Sequence, residues 1–241
     1  MIGVPVNPYL RLTPPLRALI VPESLLSGVN LRWIYRPSCN VNGQNRRSFM
    51  LADQQSSFTT EQIYKLRYTA YLSNDSIDPN PNAVFYDRYD AAGNCLSHIE
   101  YIDGQPAGSI RACVYDPAEP DLPIPAMENY GAEIARVLGP DKKLVEANKY
   151  TIHPSFQHRS IRIKALLYGF ILDVALKEGA DFIIGAIRPS QALFYKRIGL
   201  KPVSTVKPSL HMKFDTVLMS GAVEDCERCF NANAHRHRGA A

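Results

Sequence analysis

The chain predicts an α/β (α+β) fold: a mixed, mostly antiparallel sheet flanked by helices. Three observations carry that expectation. Leu144 to Pro154 reads as a strand with a carboxylate, Glu146, inside it. A long apolar helix, Ser160 to Lys177, and a second strand, Asp181 to Ile187, follow, and Arg188 to Leu200 closes the unit as a helix. Strand, helix, strand in one sheet is a right-handed crossover that makes the two strands parallel. Upstream, short runs separated by Gly-Asn and Asp-Gly turns read as consecutive antiparallel strands.

Length and composition set the bounds. A chain of 241 residues can bury a real core, as one domain with extensions or as two. Hydrophobic content of 46% and charged content of 21% are ordinary for a globular protein. A formal net charge of +4 is too small to argue for a nucleic-acid partner, though it is compatible with an acidic one. The five cysteines are an odd number and do not suggest a secreted disulfide framework. The N-terminus lacks the pattern of a signal peptide, and no stretch approaches the roughly 18 uninterrupted apolar residues of a membrane helix. The expectation is a cytoplasmic protein with no integral membrane segment.

Taken in order, residues 1–56 look like an irregular arm. Pro5, Pro8, Pro14, Pro15, Pro22 and Pro37 break it up, Leu16 to Ile20 is a short apolar element, and Trp33 packs part of it onto the domain. Thr59-Thr60-Glu61-Gln62 begins a helix, with Ile63, Leu66, Ala70 and, less regularly, Tyr71 on one face. An Asn-, Asp- and Pro-rich loop, Ser73 to Asn82, ends it. Val84 to Asp90, Ser97 to Ile102 and Gln105 to Tyr115 read as a meander, and Glu128 to Leu138 as a helix stopped at Gly139-Pro140. After the central unit, Pro202 to Pro208 reads as a loop and Leu210 to Met219 as one or two strands. Residues 222–241 read as a flexible tail.

Several residues could carry chemistry. A charged Glu146 in a buried strand is costly unless paired or functional. Strand alternation sets Asn148 and Tyr150 on its face, with Ala147 and Lys149 pointing the other way. In a desolvated cleft its raised pKa would suit it to take a proton from an amine. The alternative is a structural ion pair with Lys149 or Arg111. Tyr195 could protonate a leaving thiolate, or pack with Phe194 in the core. The turn Pro154 to Arg162 leads into a helix N-terminus, where Arg159, Ser160, Arg162 and Lys164 suit a phosphate. It contains no glycine, which favours a single phosphate over a cradled pyrophosphate. Cys226 and Cys229 with His235 and His237 have zinc-like elements, but the short spacing in a polar tail makes the pattern incidental, and no metal is expected. Arg46-Arg47 and His235 to Arg238 read as solvated ends rather than nucleic-acid contacts.

The closing Tyr195-Lys196-Arg197-Ile198-Gly199-Leu200 resembles the last core turn of the GNAT acyltransferase superfamily. Arg67 and Tyr71, Asp87 and Asp90, Arg111, and Glu146 to Tyr150 recur in the order seen in acyl-homoserine lactone synthases. They are closer still to their relatives, the N-acyl amino acid synthases, including the long-chain N-acyltyrosine synthases. The resemblance spans Thr59 to Met219, and the domain it implies is residues 57–221. It implies a GNAT-like sheet whose parallel strands splay to form an acyl-donor cleft. It also implies an acyl carrier protein thioester as donor and an amine as acceptor, with Glu146 and Tyr195 catalytic. Arg67, Tyr71, Asp87, Asp90, Arg111, Asn148, Lys149 and Tyr150 would shape the substrate site. No cofactor would be bound, since the acyl-phosphopantetheine arrives as substrate, and acyl-CoA is disfavoured by the glycine-free turn. Where the lactone synthases have Ser and Arg after their glutamate this chain has Asn148 and Lys149, and their tryptophan after the first helix is missing. Both departures argue for an ordinary amino acid over S-adenosylmethionine. Backbone N–H groups at a bulge near Asn148 to Thr151 would hold the oxyanion; Phe170, Ile171, Leu172 and Val174 are candidates to line an acyl tunnel, though most of them fit ordinary core packing better. The other readings are lactone synthesis, a CoA-dependent N-acetyltransferase, and a silent module binding a carrier protein or lipid.

Overall fold

The computed structural model describes residues 57–236, so the arm with Trp33 and the last residues, His237 among them, lie outside the described part. In chain order it contains helix α1 (Ser57–Ser73), strands β1 (Cys95–Ile102) and β2 (Gln105–Tyr115), helix α2 (Ala126–Leu138) and strand β3 (Leu144–Ile152). Helix α3 (Ser160–Glu178), strand β4 (Phe182–Ile187), helix α4 (Ala192–Arg197), strands β5 (Lys201–Pro208) and β6 (Asp215–Ala222) and helix α5 (Val223–Arg236) complete it. The six strands form one sheet in the order β1-β2-β3-β4-β6-β5. Only β3 and β4 run parallel, joined by the α3 crossover; every other neighbouring pair is antiparallel.

Both sheet faces are covered. One face buries Val145, Ile183 and Met219 against Ile163, Leu167 and Ile171 of α3, together with Tyr195 of α4. The other buries Cys113, Leu144, Ile184 and Leu218 against Tyr130 and Ile134 of α2, while α1 closes the β1–β2 end through Ile63, Leu66 and Ile99. Ile171, Leu172 and Val174 are core residues, and the half-buried Phe170 stacks on His98 at 4.6 Å. None of the four lines the cavity described below, and the core-packing alternative is the one the structure bears out for them.

Three elements differ from expectation, each for a local reason. Val84 to Asp90 is not a strand. The Asp87 side chain accepts from Tyr89 N, the Asp90 side chain accepts from Asp87 N, and this capping box closes a 3-10 turn over Arg88–Ala91. The antiparallel meander is therefore β1–β2–β3. Pro202 to Pro208 is a strand: among the described residues β5 is an edge strand that pairs with β6 alone, and an edge position tolerates the loss of the N–H that proline lacks. The tail begins as a helix. Val223 and Cys226 of α5 are buried, and the Phe230 ring lies 5.8 Å from Tyr168 of α3. The turn before β5 presses on this helix: a Cβ on Gly199, whose φ is +99°, would meet the Cys226 Cα at 3.0 Å.

The odd cysteine count hid one more feature. The β1–β2 register sets Cys95 opposite Cys113, and their sulfurs are joined as a cross-strand disulfide.

Candidate active site

Two buried arginines organise one side of the site. Arg67 of α1 donates from Nη1 to Asp90 Oδ1 at 2.7 Å and from Nη2 to Ser97 Oγ at 2.8 Å. Arg111 of β2 forks onto both oxygens of Asp87, at 2.7 and 3.1 Å, and gives its Nε–H to Asn148 Oδ1 at 2.8 Å. Its Nη1 also lies 3.0 Å from Asp90. The Lys149 ammonium completes the cluster at 2.9 Å from Asp87. Burial alone would raise the Asp87 carboxyl, but Arg111 and Lys149 outweigh it and hold the group well below the usual carboxylate range. These charges are buried as mutual pairs joined by charge-assisted hydrogen bonds, with the Arg67 Nε–H the one donor of the two arginines left without a partner among the described residues.

Lys149 reaches that cluster because β3 bulges. Asn148 pairs with Arg111 and Thr151 with Ser109, so Lys149 and Tyr150 together oppose the single residue Ile110. Lys149 takes a left-handed φ of +50°. The extra residue breaks the alternation expected from sequence. Lys149 joins Glu146 and Asn148 on the α1/α2 face, and Tyr150 turns to the α3 face, where it packs against the core.

Glu146 stands apart from the cluster. It is 2% exposed, and its Oε2 accepts from Ala126 N at the start of α2, at 2.7 Å. Among the described residues no cation lies within ion-pair distance of it. The expected partners, Lys149 and Arg111, are both committed to Asp87. Burial pushes its carboxyl up to about 7, against the opposing pull of the Ala126 N–H and the nearby Arg111, Asn148 and Lys149.

Past Glu146 the parallel strands part. β3 and β4 pair only at Leu144–Phe182, Val145–Ile183 and Glu146–Ile184. Gly185 follows at the fork, where a Cβ would press the Ala147 carbonyl at 3.0 Å. A cavity of about 750 Å³ passes through this split, walled by Glu146 and Arg188 from one face and by Tyr150, Tyr195, Gln157 and Lys164 from the other. The Tyr195 side chain is buried, and burial with the neighbouring Tyr71 pushes its pKa above the usual range. Tyr71, Asp87, Arg111, Asn148 and Lys149 also line the cavity, whereas Arg67 and Asp90 stand behind its wall. Of the basic turn residues, Lys164 alone lines it. Arg162 is exposed, Ser160 is half-buried, and Arg159 pairs with Asp103 at 3.4 Å. The sequence reading missed Glu128, which accepts from Arg88, Tyr89 and His211 at the rim, and the Ser209 to Phe214 loop between β5 and β6. Neither has a sequence signal, because both belong to the site only through tertiary contact. Among the described residues no helix is long and apolar enough to cross a membrane.

A carboxylate with a near-neutral pKa, a strand bulge and a split parallel pair open to both sheet faces suit acyl transfer to an amine. The fold is of the GNAT-like class. The structure is similar to that of FeeM, an N-acyl amino acid synthase from uncultured soil microbes, with a TM-score of 0.60 and 16% identity over 72% of this chain and 95% of that one. It is similar to the CoA-dependent acyl-homoserine lactone synthase BjaI, with a TM-score of 0.56 and 13% identity over 78% and 86% of the two chains. The lactone synthase LasI gives a TM-score of 0.55 and 13% identity over 75% and 91%. A search of curated proteins finds no match. The family model of N-acyl amino acid synthase FeeM matches residues 62–222, more than half of the chain. The chain belongs to that family and is an N-acyltransferase.

Proposed function

We propose that the enzyme moves a long-chain acyl group from the phosphopantetheine thioester of acyl carrier protein to the α-amine of an amino acid. The observation that carries this reading is Glu146, a cavity carboxylate at the fork of β3 and β4 that has no counter-cation among the described residues and whose carboxyl is pushed up to about 7 by burial. An α-ammonium must lose a proton before its nitrogen can attack. A carboxylate titrating near neutrality takes that proton and can give one up again. The freed amine adds to the thioester carbon, and the carbonyl oxygen becomes an oxyanion beside the backbone N–H groups of the Lys149–Tyr150 bulge. Collapse forms the amide and breaks the C–S bond. The thiolate leaves with a hydrogen bond from Tyr195, whose raised pKa makes it a donor that keeps its own proton. The nitrogen gives up two protons in all: the first, taken by Glu146, passes to solvent, and the second, lost as the amide forms, is taken by Glu146 in turn and ends on the thiolate, which leaves as the thiol.

The donor end favours a carrier protein. The 3-10 turn Pro154–Arg159 contains no glycine to cradle a pyrophosphate, Lys164 offers one cation inside the cavity, and Arg159 and Arg162 face outward toward an acidic partner. Mass spectrometry tests the reading. Acyl carrier protein loaded with a long chain, with the twenty common amino acids, is expected to give N-acyl amino acids; lactone product from S-adenosylmethionine, or turnover with acyl-CoA alone, would overturn it. Reversing charge at Arg159 and Arg162 should raise the apparent KM for the carrier-protein donor about tenfold and leave an acyl-pantetheine donor unchanged.

A further inference from the structure

Five cations line the cavity, and three are matched by acids. Arg88 is paired with Glu128, Arg111 with Asp87 and Asp90, and Lys149 with Asp87. Lys164 and Arg188 have no acidic partner among the described residues. Lys164 stands at the donor end. Arg188 stands on the other face, at the C-terminal end of β4, in a setting built to orient it. Its guanidinium lies 4.0 Å from the centre of the Phe214 ring, and its Nη2 donates to the buried Ser76 Oγ at 2.8 Å. Stacking fixes the plane of the fork, and one hydroxyl uses one of its five N–H donors. Among the described residues no carboxylate meets the remaining edge.

Strand geometry relates this fork to the base. Ile184 is the partner of Glu146, and the two-residue period puts Ile184, Ala186 and Arg188 on the face that carries Glu146. From Ile184 to Arg188 the strand advances about 13 Å, which an arginine side chain and an amino acid can share end to end. Ala186, with only a methyl group, lines the cavity between them. The site thus presents an anion at one end and an unmatched cation at the other, the complement of a zwitterion.

We infer that Arg188 binds the α-carboxylate of the acceptor, so that its ammonium is delivered to Glu146 beside the fork. Resting on the proposed N-acylation, this names the recognised group: the acceptor is a free amino acid, not an amide, ester or peptide-internal residue. Arg188 is then a specificity-determining residue, with Phe214 and Ser76 as its positioning residues.

The test compares the amino acid that wild-type enzyme acylates fastest with its C-terminal carboxamide. For wild type the carboxamide should show a KM about 10- to 100-fold higher. Arg188→Gln should raise KM for the free acid by a similar factor and bring acid and carboxamide to near parity. Arg188→Lys, which keeps the charge but not the fork, should fall between. A merely structural role would weaken both acceptors alike, so unchanged discrimination in Arg188→Gln overturns the inference while leaving N-acylation intact. If wild type acylates no amino acid and none raises its melting temperature, both the proposed function and the role of Arg188 fall.

Discussion

Two groups of charges lie side by side under α1 and α2, and they are built on opposite principles. Arg67, Arg111, Asp87, Asp90 and Lys149 neutralise one another through short contacts, and the result is a rigid brace between α1, β2, β3 and the Asp87 turn. Glu146, on β3 opposite Cys113, is held by the Ala126 N–H and the Asn148 side chain, with no cation at ion-pair distance among the described residues. The first arrangement lowers the pKa of a carboxylate and the second raises it. Sequence shows five charged residues and a sixth. Only the pairing tells which are scaffold and which is poised to exchange a proton.

The sharpest way to break this contrast is to neutralise each kind in turn. Glu146→Gln should lower kcat by about 10²- to 10⁴-fold with the melting temperature held or raised, as measured by steady-state kinetics and thermal unfolding. Full activity in this variant would remove Glu146 from the chemistry. Asp90→Ala should do the reverse, costing about 3–5 kcal/mol in urea unfolding, because it strips the buried Arg67 of its counter-charge.

Acidity separates the two groups a second time. Glu146 has a folded pKa of about 7 against an unfolded value near 4.5. Below the lower value both states hold the proton and burial carries no charge penalty. Between them the native state retains a proton that the unfolded chain releases, so stability falls as pH rises, by up to roughly 3 kcal/mol once pH exceeds 7. Glu146→Gln should abolish that slope between pH 5 and 8. Asp87 has the opposite sign: its folded pKa is lowered, so its contribution is present above the unfolded value and lost as pH falls through the folded one. Activity should fall with acidification below about pH 7 as Glu146 is protonated, in a profile the Asp87 group does not shape. The smallest effect is expected at the surface. Arg159→Ala breaks an exposed pair with Asp103 and should change stability by less than about 1 kcal/mol.

Much of the frame was legible in the chain. The apolar runs of β2, β3 and β4, the uninterrupted helix α3 between parallel strands, and the turn at Gly199 follow from hydrophobic period, crossover geometry and glycine placement, which are local properties. The candidate carboxylate was legible too, since a lone Glu in a buried strand is expensive by itself. The edge strand β5 and helix α5 were not. Prolines and polar residues tip local propensity towards loop, and it takes the β6 edge and the buried side of Cys226 to overrule them. Arg188 offered one usable signal, its place just past the C-terminal end of a parallel strand, where α/β ligands gather.

What the amino-acid order determined by itself is the crossover unit and the presence of a buried acid within it, because both depend on neighbours a few residues apart. What tertiary structure alone decided is the partner of each charge: which arginines take Asp87 and Asp90, that one extra residue in β3 swings Lys149 to the same side, and that Glu146 and Arg188 meet no opposite charge among the described residues. Those outcomes depend on contacts across tens of residues, and electrostatic energy responds to distance in space rather than to position along the chain.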